Sequence, residues 1–122
     1  MTGNISTLTL TVAAAGALAA SRFVTQAGAY PAAGAAAFGV TRTSAAAAGD
    51  LVPVDVQGTA IVEVGVGGVT QDAALMADAT GRVVALAGLR KSPVARAMEA
   101  ASEGAFIEVL LVPSAGLLTP AA

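Results

Sequence analysis

The segment GVTRTSAAAAGDLVPVDVQGTAIVEV, residues 39–64, carries the pattern that decides the expected fold. In it, short runs of β-branched residues alternate with a tract of alanines, and glycines bound the runs. Alanine alone favours helix, but short β-branched runs between turn signals are typical of strands. We therefore predict strands over 51–56 and 59–64, with Gln57-Gly58 as the turn between them.

Runs of the same kind recur along the rest of the chain. The stretch ADATGRVV, residues 77–84, is typical of a hairpin with Thr80-Gly81 at its turn. The spacing of the runs favours a mainly β, single-domain barrel or sandwich. The predicted strands are 7–12, 22–26, 36–41, 51–56, 59–64, 74–78, 82–86, 94–98 and 106–112.

One segment, SPVARAMEAASEG at 92–104, also fits a helix, with Ser92 as its cap and Pro93 in the first position. An internal repeat argues against the helix. Residues 37–56 align with residues 93–112: each has a short apolar strand, then a turn closed by Gly49 or Gly104, then a Val/Leu/Ile strand. We therefore expect two pseudo-repeated halves and a strand over 94–98, with coincidence in an alanine-rich chain as the alternative.

The composition predicts a thin core. The chain has 122 residues with three Phe, one Tyr and no Trp, and 14 of its residues are glycine. Alanine and glycine contribute little apolar area, so further burial against other copies or a partner is expected. We infer an oligomer.

Several classes of function are disfavoured by what the chain lacks. Its six basic residues are scattered and its net charge is −2, so no stripe for nucleic acid is expected. Without cysteine or histidine, thiol nucleophiles, histidine bases and the usual zinc sites are absent. The carboxylates show no calcium-loop spacing, and GVGG at 65–68 lacks the third glycine of a dinucleotide loop. We expect no enzyme, no metal and no cofactor.

The apolar run at 8–21 resembles a secretory signal, but no Lys or Arg precedes it. Threonines at 7, 9 and 11 alternate with Leu8, Leu10 and Val12, which predicts an amphipathic strand. The run is too short to span a bilayer, so we expect a soluble chain without a membrane partner.

Lys91, the one lysine, raises an alternative of another class, a lipoyl or biotinyl carrier domain. Carrier lysines lie between acidic or methionine neighbours in a hairpin. Here the neighbours are Arg90, Ser92 and Pro93, which match neither.

Four blocks together resemble the small capsid decoration, or cement, proteins of tailed bacteriophages. They are ALAASRFV (17–24), residues 36–64, ATGRVVAL (79–86) and VARAMEAASEGAFIEVLLVP (94–113). The resemblance implies a structural, non-enzymatic protein made in the host cytoplasm. It implies a homotrimer on the exterior of the expanded head that contacts the major capsid protein and stabilises the head. Another virion component, such as a head fibre base or a tail protein, stays open as the alternative.

On this interpretation the chain divides into an N-terminal arm or edge strand (1–12), a β-rich domain (13–113) and a C-terminal tail (114–122). The arm is expected to add to a sheet edge of the capsid protein; its alternative is pairing within its own domain. The capsid-contact candidates are Thr7, Leu8, Thr9, Leu10, Thr11 and Val12. The oligomer-interface candidates are Val52, Val54, Val62 and Val64.

Overall fold

The strand pattern of the sequence is realised in the computed structural model, which describes residues 5–88 and 91–112. Within these ranges every regular element is a strand, and no helix is long and apolar enough to cross a membrane. The strands are β1 (Ser6–Ala13), β2 (Phe23–Val24), β3 (Gly39–Thr41), β4 (Leu51–Glu63), β5 (Ala74–Ala77), β6 (Val83–Ala85), β7 (Ala95–Ala97) and β8 (Phe106–Leu111).

The strands join in one antiparallel sheet of order β2-β3-β4-β8-β7-β5-β6, and β1 pairs with β4 beside this path. A parallel bridge between Val64 and Val83 brings β6 back to the end of β4. On the other side, the N–H of Phe23 donates to the carbonyl of Gly81 at 2.7 Å. These contacts curl the sheet into a nearly closed barrel, so the predicted fold class is confirmed.

Strand β4 corrects one detail of the sequence-based prediction. Gln57-Gly58 is not a turn, because β4 runs through it without a break. Gly58 has a φ of +98°, and the register of β1 shifts opposite this part of β4. A glycine in the left-handed region suits a β-bulge as well as a turn, which is why the dipeptide was misleading.

The internal repeat is present in the structure. An antiparallel bridge joins Leu18 to Ala45, and a matching bridge joins Val69 to Ala101. After these bridges, Ser21 and Asp72 occupy corresponding places. They are the two non-glycine residues with positive φ among the described residues, at 60° and 67°. We call residues 6–57 the first half and residues 58–111 the second half; β4 ends one and begins the other.

The segment that could have been a helix is extended. Strand β7 pairs with β8 through Ala97↔Val109 and with β5 through Leu75↔Ala95. Because β7 matches β3 of the first half, the repeat was the correct guide, and the prediction of a strand over 94–98 is confirmed.

The core consists of two clusters of buried side chains. The smaller one lies in the first half and includes Val52 and Val54; the larger one includes Val62 and Val64. All four valines have 0% exposure. Their side chains fill this chain's own interior and offer no surface to a second copy, which corrects their assignment as oligomer contacts. The error arose because alternation along a strand does not say which face is inward.

Candidate functional site

Strand β1 is an edge strand of its own domain. It pairs with β4 in antiparallel register, with Val12 opposite Val52 and Thr11 opposite Pro53. Along its other edge, no strand of the described chain pairs with it. The sequence left two alternatives for this segment, and the pairing within the domain is the arrangement found. The preceding residues 1–4 and the predicted tail at 114–122 lie outside the described residues.

The side chains of β1 are unusually open. Five of the six capsid-contact candidates are exposed, and the sixth, Val12, lies in the core at 5% exposure. Leu8 and Leu10 remain 43% and 40% exposed. Proteins generally protect an edge strand with charges, proline or a covering element. Strand β1 carries neither a charge nor a proline, so its free edge and its leucines form a surface suited to pairing.

Two further apolar side chains are exposed near the ends of β1, and Leu51 lies on the opposite face of the strand pair from Leu10. Leu51, opposite Ala13, is 72% exposed, and Ile5 is 68% exposed. Ile5 is held in place by its backbone, which donates to the Thr59 hydroxyl and accepts from the Thr59 N–H. We call Ile5, Leu8, Leu10 and Leu51, together with the free edge of the strand, the β1 surface.

A buried carboxylate fastens β1 to β4. The Thr9 hydroxyl donates to Oδ1 of Asp55 at 2.9 Å, and Nε of Arg42 lies 3.6 Å from Oδ2. The Asp55 side chain is only 2% exposed. A buried carboxylate needs such partners, so Thr9 serves to attach β1 to β4. This role of Asp55 was not predicted from the sequence, although an aspartate within an alternating valine strand was a signal for it.

A second apolar surface, also missed, lies on the outer face of β8. Phe106 and Leu110 are 53% and 45% exposed, and Met98 beside β7 is 39% exposed. Phe106 and Leu110 face away from the core residues Ile107, Val109 and Leu111, although Glu108, which lies between them on β8, is buried at 1% exposure. We call Phe106, Leu110 and Met98 the β8 surface.

The charged groups that come together in the part of the chain that the structure describes form ion pairs, such as those of Glu63 with Arg22 and Arg82. No group of three or more acidic side chains there could hold a metal ion. Lys91 is half-buried, and its alkyl chain lies against Gly34 and Gly88. Such packing differs from the projecting lysine of a carrier hairpin.

The comparison with known families decides the identity. A family model described as phage cement protein matches residues 2–111. The chain belongs to the phage cement protein family. This cement protein is therefore a structural protein of a phage virion, of a family that associates with capsid proteins.

This cement protein is also similar in structure to a solved phage protein, the head fiber gp8.5 N base of bacteriophage phi29. The TM-score is 0.71 and the sequence identity 19%, over 88% of this chain and 95% of that chain. At this identity the likeness shows a common fold. No curated protein matches the sequence.

Proposed function

We propose that this cement protein binds the outer surface of the expanded capsid through its β1 surface and thereby stabilises the head. The observation that carries the proposal is the free, uncharged edge of β1 beside four exposed apolar side chains. An added strand from the major capsid protein would supply main-chain hydrogen bonds, and pockets for Leu8 and Leu10 would supply specificity.

The energetics of such a contact are favourable. Complete burial of a leucine side chain contributes about 1.5–3 kcal/mol. The leucines of β1 are already half covered, so each adds a part of that amount when a partner covers it. Repetition of the contact across a lattice, with several subunits joined, raises the overall avidity further. A cement built in this way opposes loss of capsid subunits without any catalytic group.

We infer in addition that the protein acts as a homotrimer, and that its subunits meet through the β8 surface. Phe106, Leu110 and Met98 are accessible, unlike the four core valines. Covering this apolar surface would also compensate for the thin core of each chain. Light scattering coupled to gel filtration measures the oligomer, and Leu110→Ser should dissociate it.

The test of capsid binding compares two variants by cosedimentation with purified expanded capsids. Leu8→Ser with Leu10→Ser should stay folded and lose most binding, since both side chains are exposed in the free protein. Val112→Ser, which removes an apolar side chain that is 36% exposed on another strand end, is the control and should bind normally. Normal binding by the β1 variant would exclude the β1 surface as the contact.

A second candidate function is the base of a head fibre, favoured by the structural likeness to the gp8.5 N base. Both roles need a small β-barrel fixed on the head, so the fold does not separate them. Cryo-electron microscopy of the virion distinguishes the two roles. A cement should appear as compact density repeated over the lattice, whereas a fibre base should continue into a projecting fibre.

A further inference from the structure

The two halves of the barrel differ at one pair of matched positions, Ala19 and Thr70. Ala19 lies between Leu18 and Ser21, and Thr70 lies at the same distances between their counterparts, Val69 and Asp72. In the first half, the N–H of Ala19 donates to the hydroxyl of Tyr30 at 2.8 Å. The Tyr30 ring packs on the smaller core cluster, so this loop is covered by the chain itself.

The corresponding place in the second half is open. Thr70 borders a surface cavity of about 440 Å³, and its N–H has no acceptor among the described residues. Tyr30 follows a tight turn closed by the N–H of Gly28, and β6 follows a similar turn closed by the N–H of Gly81. From β6, however, only a small residue, Ala85, lines the cavity.

The lining of the cavity suits a flat ring with a polar end. Gly67 and Gly68 leave part of the wall without side chains, and Val69, Ala85 and Ala101 provide apolar contact. Ser102 and Glu103 line the rest of the wall and make it polar there. Thr70 provides an unused donor at the place where, in the first half, Ala19 meets a phenolic oxygen. An aromatic side chain that bears a hydroxyl would satisfy both features.

This chain cannot supply that side chain from a second copy. It contains one tyrosine, Tyr30, whose hydroxyl is already bonded within its own half. Phe106 is exposed, but a phenylalanine has no oxygen to accept the Thr70 N–H. The occupant must therefore come from another protein.

We propose that the cavity between loop 67–70 and β6 receives a tyrosyl side chain of the capsid protein. The identification of the capsid protein as the source of the tyrosyl group rests on the proposed function. The preference for a tyrosyl group rests on the residues of the cavity alone. The capsid contact would then have two parts, strand pairing at the β1 surface and a single aromatic anchor in the second half. Aromatic anchors in pockets are frequent hot spots of protein interfaces.

The first experiment tests whether the cavity binds p-cresol, a small molecule that corresponds to the side chain of tyrosine. Titration of the isotope-labelled protein should shift the amide resonances of Gly68 and Thr70 in a saturable manner. Ala85→Phe, which fills the cavity from within, should abolish these shifts. Absence of a saturable shift in the wild-type protein, or its persistence in Ala85→Phe, would overturn the proposal.

The second experiment tests the source by cosedimentation with expanded capsids. Ala85→Tyr should remain folded and bind capsids about tenfold more weakly or worse, as expected when a hot-spot pocket is blocked. Ala32→Tyr, which adds the same side chain at an exposed loop position, should bind normally. Undiminished binding by Ala85→Tyr would show that the capsid protein is not the source. Failure of the wild-type protein to bind would remove the capsid from both proposals, while the p-cresol titration would still decide the nature of the cavity.

Discussion

Nη2 of Arg22 in the first half donates to Oε1 of Glu63 in the second half at a distance of 2.9 Å. The other oxygen of Glu63 lies 3.4 Å from Nη1 of Arg82, and Nη1 of Arg22 donates to the carbonyl of Thr80. Both side chains of the Arg22–Glu63 pair are less than one-fifth exposed. Glu63 therefore ties the two halves together at the end of β4.

Replacing Glu63 with glutamine should lower the free energy of unfolding by about 1.5–3 kcal/mol, the range for hydrogen bonds to charged groups. Both arginines would keep their positive charge beside a neutral amide. Urea denaturation measures the change. Glu103→Gln is the matched control, because that side chain is 53% exposed and 3.8 Å from Arg82; it should change stability little. Equal effects of the two substitutions would contradict a special role for Glu63.

The Tyr30 hydroxyl should stabilise the first half measurably. Tyr30→Phe keeps the ring and removes the acceptor for the Ala19 N–H, so we expect a loss of about 0.5–1.5 kcal/mol in the free energy of unfolding. Thr70→Ala, at the position of the second half that matches Ala19, should have a smaller effect because the Thr70 side chain is exposed. A neutral Tyr30→Phe would show that water replaces the hydroxyl without cost.

The sequence predicted most strands and the repeat because these depend on local patterns. The sequence repeat already aligned residues 39–41 with residues 95–97, and β3 and β7 occupy those positions. It also predicted the hairpin at Thr80-Gly81, where β5 and β6 pair around the turn.

What the sequence did not predict depends on which face of a strand is inward and on contacts distant in the chain. The β-branched runs around Val52 and Val62 fit a surface strand as well as a core strand, and only the closed barrel makes these two valines core. The Thr9–Asp55 bond joins residues far apart in sequence. The cavity beside Thr70 is open because β6 carries only an alanine, Ala85, at its wall. No local sequence pattern could indicate such a cavity.

Gly58→Ala should weaken the attachment of β1. Gly58 has a φ of +98°, and a methyl group there would collide with the carbonyl oxygen of Ile5. We expect a loss of about 1–3 kcal/mol in the free energy of unfolding, the cost of strained backbone. In the Gly58→Ala variant, amide hydrogen exchange should become faster in β1 and stay unchanged in β8. Gly16→Ala is the control, because a methyl group there meets open space. An unchanged exchange rate in β1 would contradict the assignment of Gly58 as the bulge that fits β1 to β4.

Two threonines of β1 differ in a way that separates attachment from docking. The Thr9 hydroxyl bonds to buried Asp55, whereas Thr11 makes no side-chain hydrogen bond within the described residues. Thr9→Val should therefore cost about 1–3 kcal/mol in the free energy of unfolding, since it removes a donor from a buried carboxylate. Thr11→Val keeps the shape of the side chain at an exposed position of the same strand and should leave stability almost unchanged.

Capsid binding by these two variants then tests whether docking requires β1 to be held firmly on β4. If docking needs a strand held firmly on β4, Thr9→Val should bind expanded capsids more weakly than Thr11→Val at a temperature where both are folded. Cosedimentation and circular dichroism on the same samples provide the comparison. Equal binding, with the expected difference in stability, would mean that the capsid protein itself holds β1 in place. Docking would then tolerate a β1 that detaches from its own domain, as in the free arm that the sequence first suggested.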